Sequence, residues 1–417
     1  MPSAETVELT IERVGVRGDG IAHWRGEPVY LPFTAPGDAV RAKLGPRRGE
    51  GRTAELVELI APGARAKPIC RHFGACGGCA LQHLDDAVYI ATKTQWLDAA
   101  LAQHRLEPAV IAPLQRLAAG TRRRARFQLE PGRVGFHARA SHRVIDLAEC
   151  AVLHPKLVAL VAPLRRLATA LLDTGKAATA SATLTDNGVD LLIDLPMPPD
   201  LVRLEALARF AEAQDLARLS WREGEVATPV AIRRKAQVTL SGVAVDLPED
   251  AFLQASAEAE AALTASVLDF ADTAQNIADL YAGIGTFSFA LAGRAKIHAV
   301  EFSAGAVAAL ARAAARSGLA ASIATEKRDL AARPLDANEL ARFDAVVFDP
   351  PYVGAKEQSR ALAASRAPVL VAVSCNPATF ARDARVLVDG GYRLMEVRPF
   401  DAFIWSANLE LVARFER

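Results

Sequence analysis

The chain has 417 residues, 51% hydrophobic and 23% charged, a balance that excludes a disordered protein and predicts about two to four domains. The 49 Lys and Arg residues nearly balance 48 Asp and Glu, so the net charge of +1 excludes a grossly basic protein but permits a local basic surface. No uninterrupted apolar run of about 18 residues and no apolar signal segment occurs, so we expect a cytoplasmic protein that does not enter a membrane.

Short apolar–polar alternations between Gly and Pro turns predict about five strands in residues 1–60. Four of them are located near residues 7–11, 29–33, 38–44 and 52–60. Such a segment is typical of a small OB-like β-barrel, a fold that often binds RNA. Four basic side chains crowd its later strands: Arg41, Lys43, Arg47 and Arg48. They form either a phosphate-binding face or a solvated loop.

Residues 61–250 alternate helical and strand-like periods and predict a central α+β domain. Helices are expected at 87–106, 156–173 and 199–214, and strands at 124–129, 133–137, 143–147, 181–184 and 189–195. Four closely spaced arginines lie at the first of these strands: Arg122, Arg123, Arg124 and Arg126. They contact RNA phosphates or form the wet face of a strand.

Four of the five cysteines lie in this central segment: Cys70, Cys76, Cys79 and Cys150. In a reducing cytoplasm such a set indicates metal ligands rather than disulfides. The paired C-x2-C arrangement of structural zinc is absent, and three close cysteines with one distant favour an iron–sulfur cluster. Zinc stays open as the alternative.

Residues 251–417 alternate strands and helices, which predicts an α/β domain with an open, mostly parallel sheet. Strands are expected at 276–280, 296–300, 345–348, 369–373, 392–400 and 409–415, with helices at 303–317 and 377–389 among those between them. Ligands of such sheets bind beyond the carboxyl ends of the strands.

A glycine loop follows the first of these strands and predicts a nucleoside-bearing cofactor. Gly283 and Gly285 permit a tight turn and close approach of a ligand, although G-x-G alone is a weak signal. Glu301 ends the second strand, where a carboxylate can accept hydrogen bonds from ribose hydroxyls. Asp349 ends a later strand at the same edge, before two prolines that stop the sheet. A tight turn and a capping carboxylate are the plain alternatives.

Cys375 stands apart from the other cysteines, between a strand and a helix. A helix N-terminus favours a thiolate, so Cys375 is a candidate nucleophile. Most isolated cysteines are buried apolar residues, but this one shares the sheet edge of the glycine loop.

Taken together, these segments resemble the RNA 5-methyluridine methyltransferases of the TrmA/RlmD type over nearly the whole chain. The Ser-Cys-Asn-Pro sequence around Cys375 is similar to the family's nucleophile motif. The cysteines resemble its [4Fe-4S] motif, and the first 60 residues resemble its TRAM domain. The resemblance implies a Rossmann-like class I methyltransferase sheet in residues 251–417, behind the OB-like barrel and the central α+β domain.

The resemblance also implies roles for individual residues. Cys375 would attack C6 of uracil, C5 would take the methyl group of S-adenosylmethionine, and Glu410 would remove the C5 proton. The implied cofactor contacts are Gln254, Tyr281, Gly283, Gly285, Thr286, Glu301, Asp329 and Asp349. The cysteines indicate the cluster-bearing branch, whose substrate is ribosomal RNA more often than tRNA. No obligate protein partner is expected.

Three residues depart from the family pattern: Thr286, Tyr352 and Asn408 replace its usual Asn, Arg and His. Other functions stay open beside the main one. They are methylation of a tRNA uridine, methylation of RNA cytosine at C5 by the same thiol chemistry, RNA binding without catalysis, and electron transfer by an iron–sulfur protein.

Overall fold

The computed structural model of the chain describes residues 5–417. In that part of the chain no helix is both long enough and apolar enough to cross a membrane. The cytoplasmic location stays a prediction.

The N-terminal region forms one six-stranded sheet, one strand more than predicted. Its strands are β1 Thr6–Thr10, β2 Arg13–Val14, β3 Asp19–Trp24, β4 Glu27–Pro32, β5 Ala39–Arg48 and β6 Gly51–Ala61, in the order β1-β5-β6-β4-β3-β2. Alternating residues such as Val7, Leu9 and Leu31 are buried inside it. Two strands have no counterpart in the predicted ranges. β2 has two residues, which is too short to produce a period in the sequence, and the first four residues of β3 are all buried and so do not alternate.

The central region begins with one helix and two short strands that join the C-terminal sheet. These are α1 Asp86–Gln103, β7 Val110–Ile111 and β8 Gln115–Arg116. Leu97 and Leu101 of α1 pack in the core of the C-terminal region. The three-domain division at 60/61 and 250/251 stays a prediction.

The rest of the central region forms a seven-stranded sheet with helices on it. Its elements are β9 Arg124–Glu130, β10 Arg133–His137, β11 Val144–Asp146, α2 Pro155–Ala159, α3 Val161–Leu171, β12 Ala178–Thr185, β13 Gly188–Asp194, α4 Leu201–Ala213, β14 Arg218–Glu223 and β15 Val226–Ile232. The strand order is β11-β10-β9-β12-β13-β14-β15. The single helix predicted at 156–173 is wrong. Two helices meet at Leu160, because Pro163 lacks an N–H and is tolerated only in the first turn of a helix.

The C-terminal region forms a nine-stranded sheet that includes β7 and β8, with a separate hairpin before it. Its elements are β16 Gln237–Leu240, β17 Val243–Asp246, α5 Ala257–Phe270, β18 Asn276–Leu280, α6 Thr286–Leu291, β19 Lys296–Glu301, α7 Ala304–Arg316, β20 Ile323–Lys327, α8 Ala337–Leu340, β21 Ala345–Phe348, α9 Lys356–Ala364, β22 Val369–Ser374, α10 Pro377–Asp389, β23 Arg393–Asp401 and β24 Glu410–Glu416.

Five neighbouring strands of this sheet, β20-β19-β18-β21-β22, are parallel, and β24 and β23 follow antiparallel. The predicted open, mostly parallel sheet is therefore confirmed. Because the parallel strands share one direction, the residues after β18, β19, β20, β21 and β22 meet at one edge. The unpredicted strand β20 buries only Ile323, which explains its weak sequence signal.

Candidate active site and cysteine cavity

Strand register brings the candidate nucleophile and the candidate base together at the sheet edge. Ser374, the last residue of β22, pairs with Leu411 of β24. Cys375 therefore leaves the sheet beside Glu410, the first residue of β24. Asn376 caps the helix α10 that follows, by accepting a hydrogen bond from Ala378 N at 3.1 Å. The thiol thus lies between a strand end and a helix N-terminus, as the sequence predicts.

The charge environment of Cys375 differs from the sequence-based expectation. Burial, followed by the nearby carboxyls of Glu410 and Asp349, raises the pKa of this thiol to about 12. The helix N-terminus, which was expected to favour the thiolate, does not outweigh these effects. The thiol is consequently protonated at neutral pH.

The two carboxyls beside Cys375 are also shifted by burial. Glu410 is buried, and desolvation and then the charge of Asp349 raise its pKa well above the usual range. Burial raises the pKa of Asp349 to about 7, against the hydrogen bond from Gln254, whose Nε2 donates to Oδ2 at 2.9 Å. Carboxyls with raised pKa values are strong bases once they are ionised.

The glycine loop after β18 has the conformation and the open space that a cofactor needs. Gly283 has φ +57°, and a Cβ built there would meet no atom of the described chain within 4 Å. Gly285 has φ +103° and begins α6 at Thr286. Tyr281 also has positive φ, +60°, which is unusual for a residue with a side chain.

Two further cofactor candidates lie at the ends of adjacent strands. Glu301 accepts hydrogen bonds from Gly283 N at 3.0 Å and from Ser303 N at 2.7 Å, so it shapes the glycine loop. Asp329 follows β20 and lies close enough to Tyr281 to contribute, after burial and Asp383, to raising the pKa of that phenol. The structure therefore brings Gln254, Asp349, Glu301, Asp329 and the loop to one edge.

Sequence reasoning missed Asp279, a buried carboxylate inside β18. Burial raises its pKa to about 7, and its Oδ2 accepts a hydrogen bond from Ser288 Oγ at 2.5 Å. Its Oδ1 is buried without a hydrogen-bond partner among residues 5–417. A charged residue inside an otherwise apolar strand was the available signal.

The four central cysteines line one cavity of about 280 Å³. All four thiols are free and partly buried, and the loop that carries Cys70 is held against the segment that carries Cys150. Arg71 N donates to Glu149 Oε1 at 2.7 Å, and Ala148 N donates to His72 Nε2 at 2.9 Å. Within residues 5–417, no group of three or more His, Cys, Asp or Glu side chains is arranged to hold a metal ion.

Three of the four central arginines line both this cavity and a neighbouring one. Arg122, Arg124 and Arg126 stand between the cysteines and Gln254. Arg123 instead is buried, pairs with Glu260 and donates to Gln254 O at 3.1 Å. Arg123 therefore holds the backbone of Gln254 in place, and its guanidinium is buried rather than presented to RNA.

The basic residues of the N-terminal sheet do not join either cavity. Arg41 pairs with Glu8 at 2.9 Å and with Glu58, Arg47 with Glu27 at 3.1 Å, and Arg48 with Asp19 at 2.9 Å. Lys43 is exposed. Because the three arginines already pair with carboxylates, the structure supports the interpretation that they are solvated rather than part of a phosphate-binding face.

Two of the departures from the family pattern have distinct surroundings. Tyr352 is exposed, and its carbonyl accepts hydrogen bonds from Asn376 Nδ2 and Thr379 Oγ1, both at 3.2 Å. Asn408 lines the cysteine cavity, and its carbonyl accepts a hydrogen bond from Lys93 Nζ at 2.8 Å.

Comparison with known proteins identifies the family. Residues 230–416 match the family described as tRNA (Uracil-5-)-methyltransferase. A Brucella melitensis protein described as an RNA methyltransferase is 40% identical over 417 residues, covering 99% of this chain and 98% of its own. The 23S rRNA (uracil(1939)-C(5))-methyltransferase RlmD of Chromohalobacter salexigens is 35% identical, covering 96% of this chain and 87% of its own. The chain belongs to the RNA uracil-5 methyltransferase family.

A solved member has the same fold along the whole chain. The Pyrococcus abyssi tRNA (uracil-54, C5)-methyltransferase, in complex with S-adenosyl-L-homocysteine, superposes with a TM-score of 0.73 at 22% identity, covering 98% of this chain and 100% of its own. The predicted α/β class with a class I methyltransferase sheet is thereby confirmed. As a member of the RNA uracil-5 methyltransferases, the protein is an S-adenosylmethionine-dependent enzyme acting on RNA.

Proposed function

We propose that this RNA uracil-5 methyltransferase forms 5-methyluridine in 23S ribosomal RNA through a covalent bond between Cys375 and C6 of the target uracil. The observation that carries the mechanism is the register of β22 and β24, which sets Cys375 beside Glu410. Support for ribosomal RNA comes from the relative that acts on 23S rRNA, at 35% identity over nearly the whole chain.

Uracil C5 is too weak a nucleophile to take a methyl group unaided. In the proposed first step the sulfur of Cys375 bonds to C6, the thiol proton passes to a neighbouring carboxylate, and the C5–C6 double bond becomes an enolate. The raised pKa of Cys375 means that the thiol keeps its proton until substrate arrives. Asp349, with a pKa of about 7, is placed to accept that proton.

S-adenosylmethionine, when bound, supplies an electrophilic methyl group that C5 of the enolate takes. Glu410 then removes the C5 proton, the C5–C6 double bond re-forms, and the Cys375 sulfur leaves with its bonding electrons. The overall reaction releases one proton. Burial makes ionised Glu410 a stronger base than an exposed glutamate, and general-base catalysis contributes roughly 10²–10⁴-fold.

The residues around the glycine loop fit the cofactor. The open space in front of Gly283 admits a ligand close to the backbone. Glu301 stands at the end of β19, where its remaining oxygen lone pairs would accept hydrogen bonds from ribose hydroxyls. Gln254, Tyr281, Gly285, Thr286 and Asp329 complete the proposed set. Asp279 lies in β18, two residues before Tyr281, and its Oδ1 has no hydrogen-bond partner among residues 5–417.

We propose further that Cys70, Cys76, Cys79 and Cys150 hold a [4Fe-4S] cluster. Four thiols that line one cavity provide the ligands of such a cluster. Three closely spaced cysteines with one distant, without the paired C-x2-C arrangement of structural zinc, favour this cluster over zinc. Methyl transfer is redox-neutral, so the proposed role is structural.

The cluster is tested by iron and sulfide analysis of protein purified without oxygen. We expect about four of each per chain, lost in a Cys79→Ser variant and kept in Cys375→Ala. Stoichiometric zinc without sulfide would contradict the proposal.

The function is tested by transfer of labelled methyl groups from S-adenosylmethionine to unmodified 23S rRNA and tRNA transcripts. The products are digested to nucleosides, and Cys375→Ala runs alongside. Label in 5-methyluridine from 23S rRNA, absent with the variant, is expected. Label from tRNA alone would overturn the ribosomal substrate, and label in 5-methylcytidine would overturn the uracil assignment.

A further inference from the structure

Lys93 makes a buried connection that the proposed mechanism does not use. It lies on α1, and its side chain and that of Asp401 are both 0% exposed. Its ammonium donates to Asp401 Oδ1 at 2.6 Å, Phe403 O at 3.1 Å and Asn408 O at 2.8 Å. An ammonium has three N–H donors, so all of them are used.

Phe403 and Asn408 lie near the two ends of residues 402–409, which we call the β23–β24 connection, and Asp401 directly precedes this segment. Asp401 follows Phe400, and Phe400 pairs with Glu410 across the two strands. Asn408 precedes Glu410 by two residues. Lys93 therefore holds together the beginning and the end of the segment from which the proposed base emerges.

The same connection is tied to the cysteine segment. Tyr89, also on α1, donates to Asp401 Oδ2 at 2.6 Å and accepts from Trp405 N at 2.8 Å. The carbonyl of Trp405 accepts from Ala80 N at 2.8 Å and from Leu81 N at 3.1 Å, immediately after Cys79. Phe403 and Asn408 line the cysteine cavity. One short segment thus touches the cavity, α1 and the proposed base.

Stability alone is a poor explanation for this ion pair. Burial lowers the pKa of Lys93, with Asp401 acting in the opposite direction, so desolvation of the ammonium is costly. Buried ion pairs replaced by apolar residues of similar volume often leave a protein equally or more stable. What an ammonium offers here, and an apolar side chain does not, is three directed bonds to fixed points of the connection.

We propose that Lys93 is a positioning residue for the methyl transfer, which fixes the β23–β24 connection and through it the carboxyl of Glu410. This inference rests on the proposed role of Glu410 as the base. Lys93 itself touches neither substrate nor the reacting atoms. Its loss should slow removal of the C5 proton more than formation of the Cys375–C6 bond.

The test follows the lifetime of the covalent protein–RNA adduct in a single turnover with labelled S-adenosylmethionine. The reference is Glu410→Gln, in which the methylated adduct should accumulate. The test variant is Lys93→Met with Asp401→Asn, which removes both buried charges together and so avoids an unpaired ion. Lys296→Met, at an exposed position on β19, is the matched control.

We expect the double variant to prolong the methylated adduct at least about tenfold relative to wild type, with unchanged RNA and S-adenosylmethionine affinity, and the control to behave as wild type. A lower melting temperature with an unchanged adduct lifetime would overturn the proposal. If the double variant does not fold, Lys93→Gln decides, because its side-chain amide has two N–H donors and cannot make all three bonds. A prolonged adduct supports the role of Lys93, and an unchanged lifetime excludes it.

A wrong assignment of Glu410 as the base would give a different result in this experiment. If Glu410→Gln itself accumulates no adduct, the base assignment is wrong, and Lys93 has no base to position. If Glu410→Gln accumulates adduct and the Lys93 variants do not, only the positioning role fails.

Discussion

The five cysteines of this protein occupy two regions with opposite surroundings. Cys375 lies at a sheet edge, where burial and then two buried carboxyls, Glu410 and Asp349, raise the pKa of its thiol. The four central cysteines share a cavity with Arg122, Arg124 and Arg126. A thiol among carboxyls is held neutral until a reaction step takes its proton, whereas thiolates are the form that binds iron and are favoured beside cations. Burial raises the pKa of Cys76, Cys79 and Cys150 as well, so the two regions differ in the charge of their neighbours and not in the direction of the pKa shift.

The strongest way to break this distinction is to replace one cysteine from each region by serine. Cys375→Ser should lower turnover by at least roughly 10³-fold and abolish the covalent adduct, because the proposed nucleophile is lost. Cys79→Ser should lose iron, but it should reduce the rate of methyl transfer to bound RNA by less than about tenfold. Single-turnover methyl transfer at saturating RNA measures both rates. Equal losses in the two variants would show that the regions do not differ in role.

The pH dependence of thiol alkylation sharpens the comparison. The thiolate fraction of a cysteine rises about tenfold per pH unit until its pKa is reached. With a pKa of about 12, Cys375 should be alkylated by iodoacetamide at a rate that increases about tenfold per unit from pH 7 to 9 without a plateau. The same peptide in denaturant should level off near the ordinary thiol value of about 8.5. Mass spectrometry of the Cys375 peptide measures both, and a plateau below pH 8 in the folded protein would contradict a buried thiol beside carboxyls.

Much of the carboxyl edge of the C-terminal sheet could be predicted from the sequence, because polar and glycine residues follow its apolar strands. The predicted bounds of β18, β21 and α10 match the structure, and Cys375, Asp349 and Glu301 all lie at the carboxyl edge as expected. Short continuous apolar runs indicated these buried strands, and the topology of a parallel sheet predicted the edge.

The surroundings of these residues could not be predicted in the same way. Arg123 belongs to a run of arginines in the sequence, yet it is buried against Glu260, 137 positions away. Lys93 and Asp401 are separated by 308 positions and meet only in the folded chain. The pKa of Cys375 depends on the same kind of long-range contact. Local patterns contain no information on such partners, so charge and burial had to come from the structure.

The hydrogen bond that Gln254 donates to Asp349 gives a smaller expected effect in the region around Cys375. Gln254→Leu removes the hydrogen bond that lowers the pKa of Asp349 and leaves a buried carboxyl without that donor. The loss of such a bond costs about 1–3 kcal/mol, so kcat/KM should fall roughly 5- to 150-fold. Since the pKa of Asp349 rises, the acidic limb of the pH–rate profile should move to higher pH. A profile displaced to lower pH, or left in place, would exclude Asp349 as the group seen in that limb.

The smallest expected effect is on RNA binding by the arginines of residues 122–126. An exposed and a buried arginine of this run are expected to contribute differently. Arg126 is 62% exposed, with Asp194 at 3.3 Å as its ion-pair partner, whereas Arg123 is buried against Glu260. If Arg126 contacts an RNA phosphate, Arg126→Ala should weaken RNA binding a few-fold and reduce the slope of log K against log salt by about 0.7. Arg123→Ala should leave that slope unchanged and lower the melting temperature, since it removes a buried ion pair.

Arg209→Ala is the control for this pair. Arg209 is exposed on α4 and pairs with Glu205 at 3.6 Å, so it matches Arg126 in exposure and in having a carboxylate partner. It does not line either of the two cavities that Arg126 lines. Filter binding of the substrate transcript between about 50 and 200 mM salt gives all three slopes. Equal slopes for Arg126→Ala and Arg209→Ala would place the RNA backbone away from this cavity, and the four cysteines would then lie outside the RNA-binding surface.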